Sequence, residues 1–252
     1  MRYWLYPILY LVLSFAFIAC QESAQAHNEG TPSLSADRLP TTTTPAPAVD
    51  KPAPAPLSPT PAEIDSILRG HDTAWVDIET LSTAIVLDLR YATTNNFMEL
   101  QIYDCPKCLM RLATAKALLK AQAELQEQGL GFKMFDCYRP QSAQYKLWQK
   151  VPDRRYVAPP SRGSMHSRGG ALDLTLIDLE SQKQLDMGTH YDYFGHKAYW
   201  VNKDLPPSVL NNRQLLRSTL EKHGFKTVTT EWWHFNYRRA WFSLSNKQWS
   251  CD

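Results

Sequence analysis

Apolar residues alternate with polar ones in some stretches of this chain and recur every three or four positions in others, so strands and helices can be placed from the pattern alone. Ala84 to Arg90 alternates and predicts a strand. From Arg111 to Gln128, the residues Leu112, Ala115, Leu118, Leu119 and Leu125 share one helical face, and Gly129 follows as a stop. Gly131 to Asp136 reads as a strand, and Pro140 opens a helix through Trp148, because proline is tolerated in a first turn. Leu172 to Ile177 alternates cleanly, placing Asp173, Thr175 and Ile177 on a face that can line a cleft and Leu172, Leu174 and Leu176 on a core face. Arg213 to His223 predicts a helix ended by Gly224, and Trp232 to Tyr237 a last strand. Helices and strands mix without a steady βαβ rhythm. That order predicts an α+β fold with a mainly antiparallel sheet flanked by helices.

The N-terminal part has a different character. Arg2 precedes an apolar run from Leu5 to Ile18, which is short and early for a membrane span and reads as an export signal. Two processing schemes fit it. Ala24-Gln25-Ala26 suits simple cleavage, giving a signal of residues 1–26. Phe17-Ile18-Ala19-Cys20 suits a lipoprotein signal ending at residue 19, with Cys20 lipidated. Both imply export, with the periplasm as the expected location and a membrane-anchored lipoprotein as the variant. Residues 27–62 then hold nine of the 17 prolines, together with a threonine run. Such a segment cannot build a core and reads as a disordered spacer. The working domain is expected over 63–252.

A net charge of +2 over 252 residues is too small for a concentrated basic face, which argues against nucleic acid as a partner. Of the five cysteines, Cys20 belongs to the export region, leaving Cys105, Cys108, Cys137 and Cys251. An even count in an exported chain suggests two disulfides, with three pairings open. The Cys105-Pro106-Lys107-Cys108 spacing also fits redox or zinc chemistry, but no second such pair exists to complete a zinc ribbon.

Candidate chemistry centres on His166, Asp173 and His234. Zinc takes imidazole nitrogen and carboxylate oxygen, and a catalytic site uses three protein ligands and keeps one position open. No HExxH helix is present, so the three would have to converge from separate segments. A carboxylate inside an apolar alternation, as at Asp173, needs a metal, a cation or hydrogen-bond donors. Glu231 lies three residues before His234. On a regular strand the two would face opposite ways, so Glu231 must precede the strand or the backbone must bend. Taken singly, each has an ordinary reading: Asp173 as a partner of Arg168, Glu231 as a solvated acid, Arg139 as a surface ion pair.

The run Ser164-Met165-His166-Ser167-Arg168-Gly169-Gly170-Ala171-Leu172-Asp173 resembles the SxHxxGxAxD signature of the zinc metallopeptidases that include the D-alanyl-D-alanine dipeptidases. Further stretches resemble the dipeptidase branch: Asp88 to Thr93 with Asn95 to Phe97, Asp136 to Pro140, Asp186 to Thr189 with Asp192 and Phe194, and Glu231 to Phe235. The resemblance implies a fold of the D-Ala-D-Ala dipeptidase and carboxypeptidase (hedgehog-like) type. It implies one Zn2+ per domain held by His166, Asp173 and His234, with Glu231 as the catalytic carboxylate. Arg139 is implied to stabilise transition-state charge, and Ser164 to contact substrate.

The implied activity is zinc-dependent hydrolysis of the D-alanyl-D-alanine dipeptide in cell-wall turnover. The partners are then a small D,D-dipeptide or peptidoglycan fragments, with a membrane involved only through a lipid anchor at Cys20. The resemblance to exported relatives also implies a Cys108–Cys137 disulfide, leaving Cys105 for Cys251. Three other readings compete. They are a D,D-carboxypeptidase or endopeptidase on intact wall peptide, a noncatalytic wall-binding module, and a thiol hydrolase using Cys137 with His166. The module reading requires a lost ligand or a lost Glu231, and none is lost.

Overall fold

The computed structural model describes residues 59–251. The leader, both processing schemes and the linker up to residue 58 lie outside the described residues. The first described element is helix α1 (Pro61–Leu68), which starts inside the expected linker. Its start is a reciprocal cap: Glu63 N–H donates to the Thr60 hydroxyl at 3.3 Å, and Thr60 N–H donates to the Glu63 carboxylate at 2.7 Å. Pro61 supplies a φ already suited to a first turn.

There follow β1 (Trp75–Asp77), β2 (Val86–Leu87), β3 (Leu109–Arg111), α2 (Leu112–Gln126), β4 (Leu130–Asp136), α3 (Gln141–Lys150), β5 (Ala171–Asp178), α4 (Pro207–Lys222), β6 (Phe225–Thr227) and β7 (His234–Tyr237). The main sheet runs β2-β4-β5-β7-β6, and β1 pairs with β3 in a separate ribbon. Among the described strands only the short β2–β4 pair is parallel, so the fold is α+β with a mainly antiparallel sheet. Helices α2 and α4 pack on each other and on this sheet. Among the described residues no helix is long and apolar enough to cross a membrane.

Helix α2 forms where the pattern places it. Its alanines and leucines are good helix formers, and Leu112, Ala115, Leu118 and Leu125 are fully buried. Gly129, at φ 71°, takes the left-handed conformation that ends the turn and admits β4. Strand β5 departs from the expectation of one core face and one cleft face. All residues from Ala171 to Ile177 are buried, Thr175 and Ile177 as completely as the leucines. The strand lies between β4 and β7, so both of its faces are covered, and among these side chains Asp173 is the one that reaches the cavity described below.

Three other boundaries shift for identifiable reasons. The strand expected over 84–90 pairs only at Val86 and Leu87, after which Arg90–Ala92 turns into a 3-10 helix that carries Tyr91 to the cavity. Helix α4 begins at Pro207, six residues before the expected Arg213, because Pro207 sits at its first position, where a missing N–H costs nothing. Pro140 precedes α3 rather than entering it. Elements α1, β1, β3 and β6 were not expected: the three strands are too short to show a period, and α1 begins inside the proline-rich stretch read as linker.

Leu118 is completely buried at the centre of α2. Leu118→Ala is expected to cost ~2–5 kcal/mol of stability, read as a lowered urea midpoint at unchanged slope.

Candidate metal centre

Three neighbouring strands deliver a row of polar side chains to one end of the sheet. Asp136 on β4 is the register partner of Asp173 on β5, and Asp173 is the register partner of His234 on β7. A register shift between Met134 and Asp136 aligns the first pair. His166 comes from a 3-10 turn (His166–Arg168) that precedes β5. Gly169 closes that turn at φ 73°, and a Cβ there would lie 2.5 Å from the Trp75 ring, so both conformation and space demand glycine. Strand β3 grips the turn as well: Arg111 N–H donates to the Gly169 carbonyl at 3.0 Å, and its Nε donates to the Arg168 carbonyl at 3.2 Å.

His166 Nε2 lies 3.1 Å from His234 Nδ1 and 3.4 Å from Asp173 Oδ1, and His234 Nδ1 lies 2.9 Å from the same oxygen. The outer ring nitrogens fix the proton positions. His166 Nδ1 is 2.7 Å from the Cys137 carbonyl, which only accepts, so Nδ1 carries the hydrogen and Nε2 presents a lone pair. His234 Nε2 donates to Asn236 Oδ1 at 3.1 Å, which leaves a lone pair on Nδ1. Two lone pairs and a carboxylate oxygen thus face one another in a buried space. This arrangement needs a positive charge among the three atoms, a proton or a metal ion, and two imidazoles with one carboxylate suit zinc. The residues therefore fit the metal; iron, cobalt or manganese could also use such a donor set.

The carboxylate is held from behind. Tyr191 O–H donates to Asp173 Oδ2 at 2.9 Å, and Arg139 Nη2 lies 3.6 Å from it. Burial pushes the Asp173 carboxyl up, but in the metal-free chain the protonated His166 and His234 rings pull harder the other way and hold it well below the usual carboxylate range, the part a bound cation would take over. Arg168, its ordinary expected partner, instead donates to the Phe242 carbonyl at 2.9 Å.

Glu231 precedes β7, in the turn that the spacing required, and is 8% exposed. Its Oε2 lies 4.0 Å from His234 Nδ1, and among the described residues no donor bonds its carboxyl. Burial pushes that carboxyl up to about 8 against the pull of His234. Arg139 is also buried. Its Nε and Nη2 donate to Asp136 Oδ2 at 2.8 and 2.6 Å, and its Nη1 donates to Gln144 Oε1 at 3.1 Å. Burial opposes its charge, but the Asp136 carboxylate keeps it protonated. Ser164 lines the cavity, and its Oγ accepts from His166 N–H at 3.2 Å, so the hydroxyl both braces the turn and can donate inward.

All six residues singled out from the sequence line one cavity of about 290 Å³. Cys137 is bonded to Cys108, and Cys105 to Cys251, so Cys137 serves His166 through its carbonyl and offers no thiol for nucleophilic chemistry. Sequence reasoning assigned no role to Asp136, Gln144, Tyr91, Tyr191, Asn236 or Asp192. Asp192 stands in the cavity wall with φ 60°, accepting from the Tyr91 hydroxyl at 3.2 Å, and burial pushes its carboxyl up to about 8. A polar residue in a loop has no periodicity to mark it.

The sequence profile of peptidase family M15, described as D-ala-D-ala dipeptidase, matches residues 71–251. The chain is 37% identical over 180 residues to a D-alanyl-D-alanine dipeptidase of Escherichia coli (strain K12), covering 71% of this chain and 93% of that protein. It is 30% identical over 171 residues to one of Enterococcus faecium, covering 60% and 85%. Against one of Streptomyces coelicolor it is 31% identical over 190 residues, covering 66% and 92%. With a match that spans every element from β1 to β7 and the whole cavity, the chain belongs to the M15 family of D-ala-D-ala dipeptidases.

Proposed function

We propose that this protein hydrolyses D-alanyl-D-alanine to D-alanine, using one zinc ion held by His166, Asp173 and His234. The observation that carries this reading is the meeting of three ligand atoms, two imidazole nitrogens and a carboxylate oxygen, beside a buried, unbonded carboxyl and a buried guanidinium. Zinc, when bound, supplies the Lewis acidity that polarises a peptide carbonyl and acidifies water. Every other task falls to the chain. Glu231 takes a proton from the attacking water and delivers it to the leaving amine, a role suited to a carboxyl whose proton affinity lies near neutral pH. Arg139, fixed by Asp136 and Gln144, offers its charge to the oxygen that becomes negative, with little side-chain freedom left to lose.

The cavity also supports a small substrate with charged ends. At about 290 Å³ it lies at the lower edge of the ~300–1,000 Å³ usual for ligand pockets. Its wall carries the Asp192 carboxyl and the Arg154 guanidinium, neither of them in an ion pair among the described residues. A free dipeptide brings a carboxylate for the guanidinium and an ammonium whose charge would favour the ionised form of the Asp192 carboxyl. The two disulfides and the apolar leader support an enzyme working outside the cytoplasm on wall-derived dipeptide, and detection in the cytoplasmic fraction alone would count against that location.

Three outcomes are expected. First, chelator should abolish cleavage of free D-Ala-D-Ala and added zinc should restore it, while a muropeptide ending in the same pair stays intact. Release of D-alanine from the muropeptide would assign a carboxypeptidase instead. Second, Glu231→Gln should lower kcat ~10²–10⁴-fold with zinc still bound, and Arg139→Ala should lower it ~10²–10³-fold, both read from steady-state kinetics with metal analysis. Third, the metal-free fold should show the proton affinity of Glu231 in its pH dependence. This carboxyl binds its proton near 4.5 when unfolded and near 8 when folded, so its contribution to stability is complete below 4.5 and is lost as pH rises to about 8. The melting temperature of metal-free Glu231→Gln should therefore gain on that of the metal-free parent across this window, and a constant difference would contradict it.

A further inference from the structure

Four consecutive residues, Asp136 to Arg139, hold up both halves of the site. Asp136 accepts from Arg139 and, at 2.8 Å, from the Tyr103 hydroxyl. The Cys137 carbonyl accepts the His166 Nδ1 hydrogen at 2.7 Å. Tyr138 N–H donates to the Leu109 carbonyl at 2.8 Å, and its hydroxyl donates to the Ser245 carbonyl at 3.1 Å. Arg139 N–H donates to the His166 carbonyl at 3.3 Å, and its guanidinium faces the cavity. Strand β4 ends at Asp136, so the residues beyond it are not held by the sheet ladder.

Covalent ties take over where the ladder stops. Cys137 and Cys108 are 1% and 0% exposed, and their disulfide anchors the tetrapeptide to the residue just before β3. Cys105, three residues earlier, is bonded to Cys251, which is exposed. That outer bond fastens a C-terminal segment, residues 238–251, which contains no helix or strand. The segment nevertheless crosses the same structure. Ser245 N–H donates to the Ser167 carbonyl at 2.9 Å, and the Trp249 ring lies edge-on to Tyr103 and Tyr138 at 5.3 and 6.1 Å. The inner disulfide therefore sits directly behind the carbonyl that sets the His166 ring, and the outer one closes the cover over it.

We propose that the Cys108–Cys137 disulfide is a positioning bond for His166, fixing the Cys137 carbonyl and through it the affinity of the site for zinc. This rests on the metal-site reading above. Groups that orient a liganding histidine typically carry ~10–100-fold in metal affinity, and here the orienting group is a backbone carbonyl whose own position depends on a sulfur–sulfur bond. Opening that bond takes two electrons and two protons. A dithiol supplies both as it closes to its own disulfide, and a phosphine supplies the electrons as it becomes the phosphine oxide, its oxygen and the protons coming from water. The exposed outer bond opens first and the buried one after it. In thiol-rich surroundings the protein then holds its metal weakly.

The test uses the full chain. Zinc affinity is measured by competition with a chromogenic chelator, and ligand geometry by the visible bands of the cobalt form. Cys108→Ala/Cys137→Ala is expected to bind zinc ~10-fold or more weakly, with shifted cobalt bands and an unchanged far-UV spectrum. Cys105→Ala/Cys251→Ala is expected to melt lower yet bind zinc as the parent does. Unchanged zinc affinity and cobalt bands in the inner-pair variant would overturn the proposal. If that variant fails to fold, the zinc-loaded parent is titrated with a phosphine. Zinc release that tracks the appearance of the inner thiols, with the far-UV spectrum intact, supports the proposal. Zinc retained after both bonds open, or released only as the far-UV signal collapses, overturns it. A parent chain that binds no zinc at all is a different result, since it removes the metal-site reading itself.

Discussion

Two imidazole nitrogens and a carboxylate oxygen, held within hydrogen-bonding distance of one another in a buried space, set the terms for the rest of this structure. Three such atoms do not meet this closely in a protein interior without a proton or a metal ion among them. The surroundings are arranged to keep them there. The Cys137 carbonyl and Asn236 place the protons on the outward nitrogens, and Tyr191 and Arg139 occupy the second carboxylate oxygen. Each of these partners is itself anchored, Arg139 by Asp136 and Gln144, Gln144 by the Ala158 carbonyl at 2.7 Å. The stability cost of the cluster is thus spread over several strands and loops, and a divalent ion turns it into a gain.

Glu231 and Asp173 show how one neighbourhood gives two carboxyls opposite characters. Both are buried, which raises both. Asp173 touches two imidazoles and falls well below the carboxylate range, so it is always an anion and suits a permanent ligand. Glu231 stands 4.0 Å from the same histidine, has no donor on its carboxyl, and rises to about 8, so it can both take and give a proton at neutral pH. The difference between ligand and proton carrier comes down to about one ångström and a hydrogen bond.

Much of this was legible in the residues. Helix α2 and strands β4 and β5 carry enough apolar positions to show their period, and Gly129 marks the stop of α2. The six site residues could be named because they sit in short motifs, and because Glu231 and His234, three apart, force a turn before β7. What escaped depended on contacts distant in sequence. The alternation in β5 cannot reveal that neighbours on both sides bury its second face. Asp192 and Tyr191 act through partners 101 and 18 residues away, and no local pattern marks such pairs. The elements too short to have a period, such as β1 and β6, exist because the tertiary structure pairs them.

The row Asp136–Asp173–His234 is written into the pairing register of three adjacent strands. Slipping either pair by one residue would turn a member of the row to the opposite face, so these positions cannot drift one at a time. The rest of the cavity wall is built differently. Asp192, Arg154 and Phe194 stand in loops whose lengths and residues the sheet does not dictate. Reactivity and selectivity are therefore inherited through separate parts of the chain. A descendant could acquire a new ligand by rewriting loops while the polar row passed on unaltered, and a scaffold of this kind lends itself to diversification without first losing its chemistry.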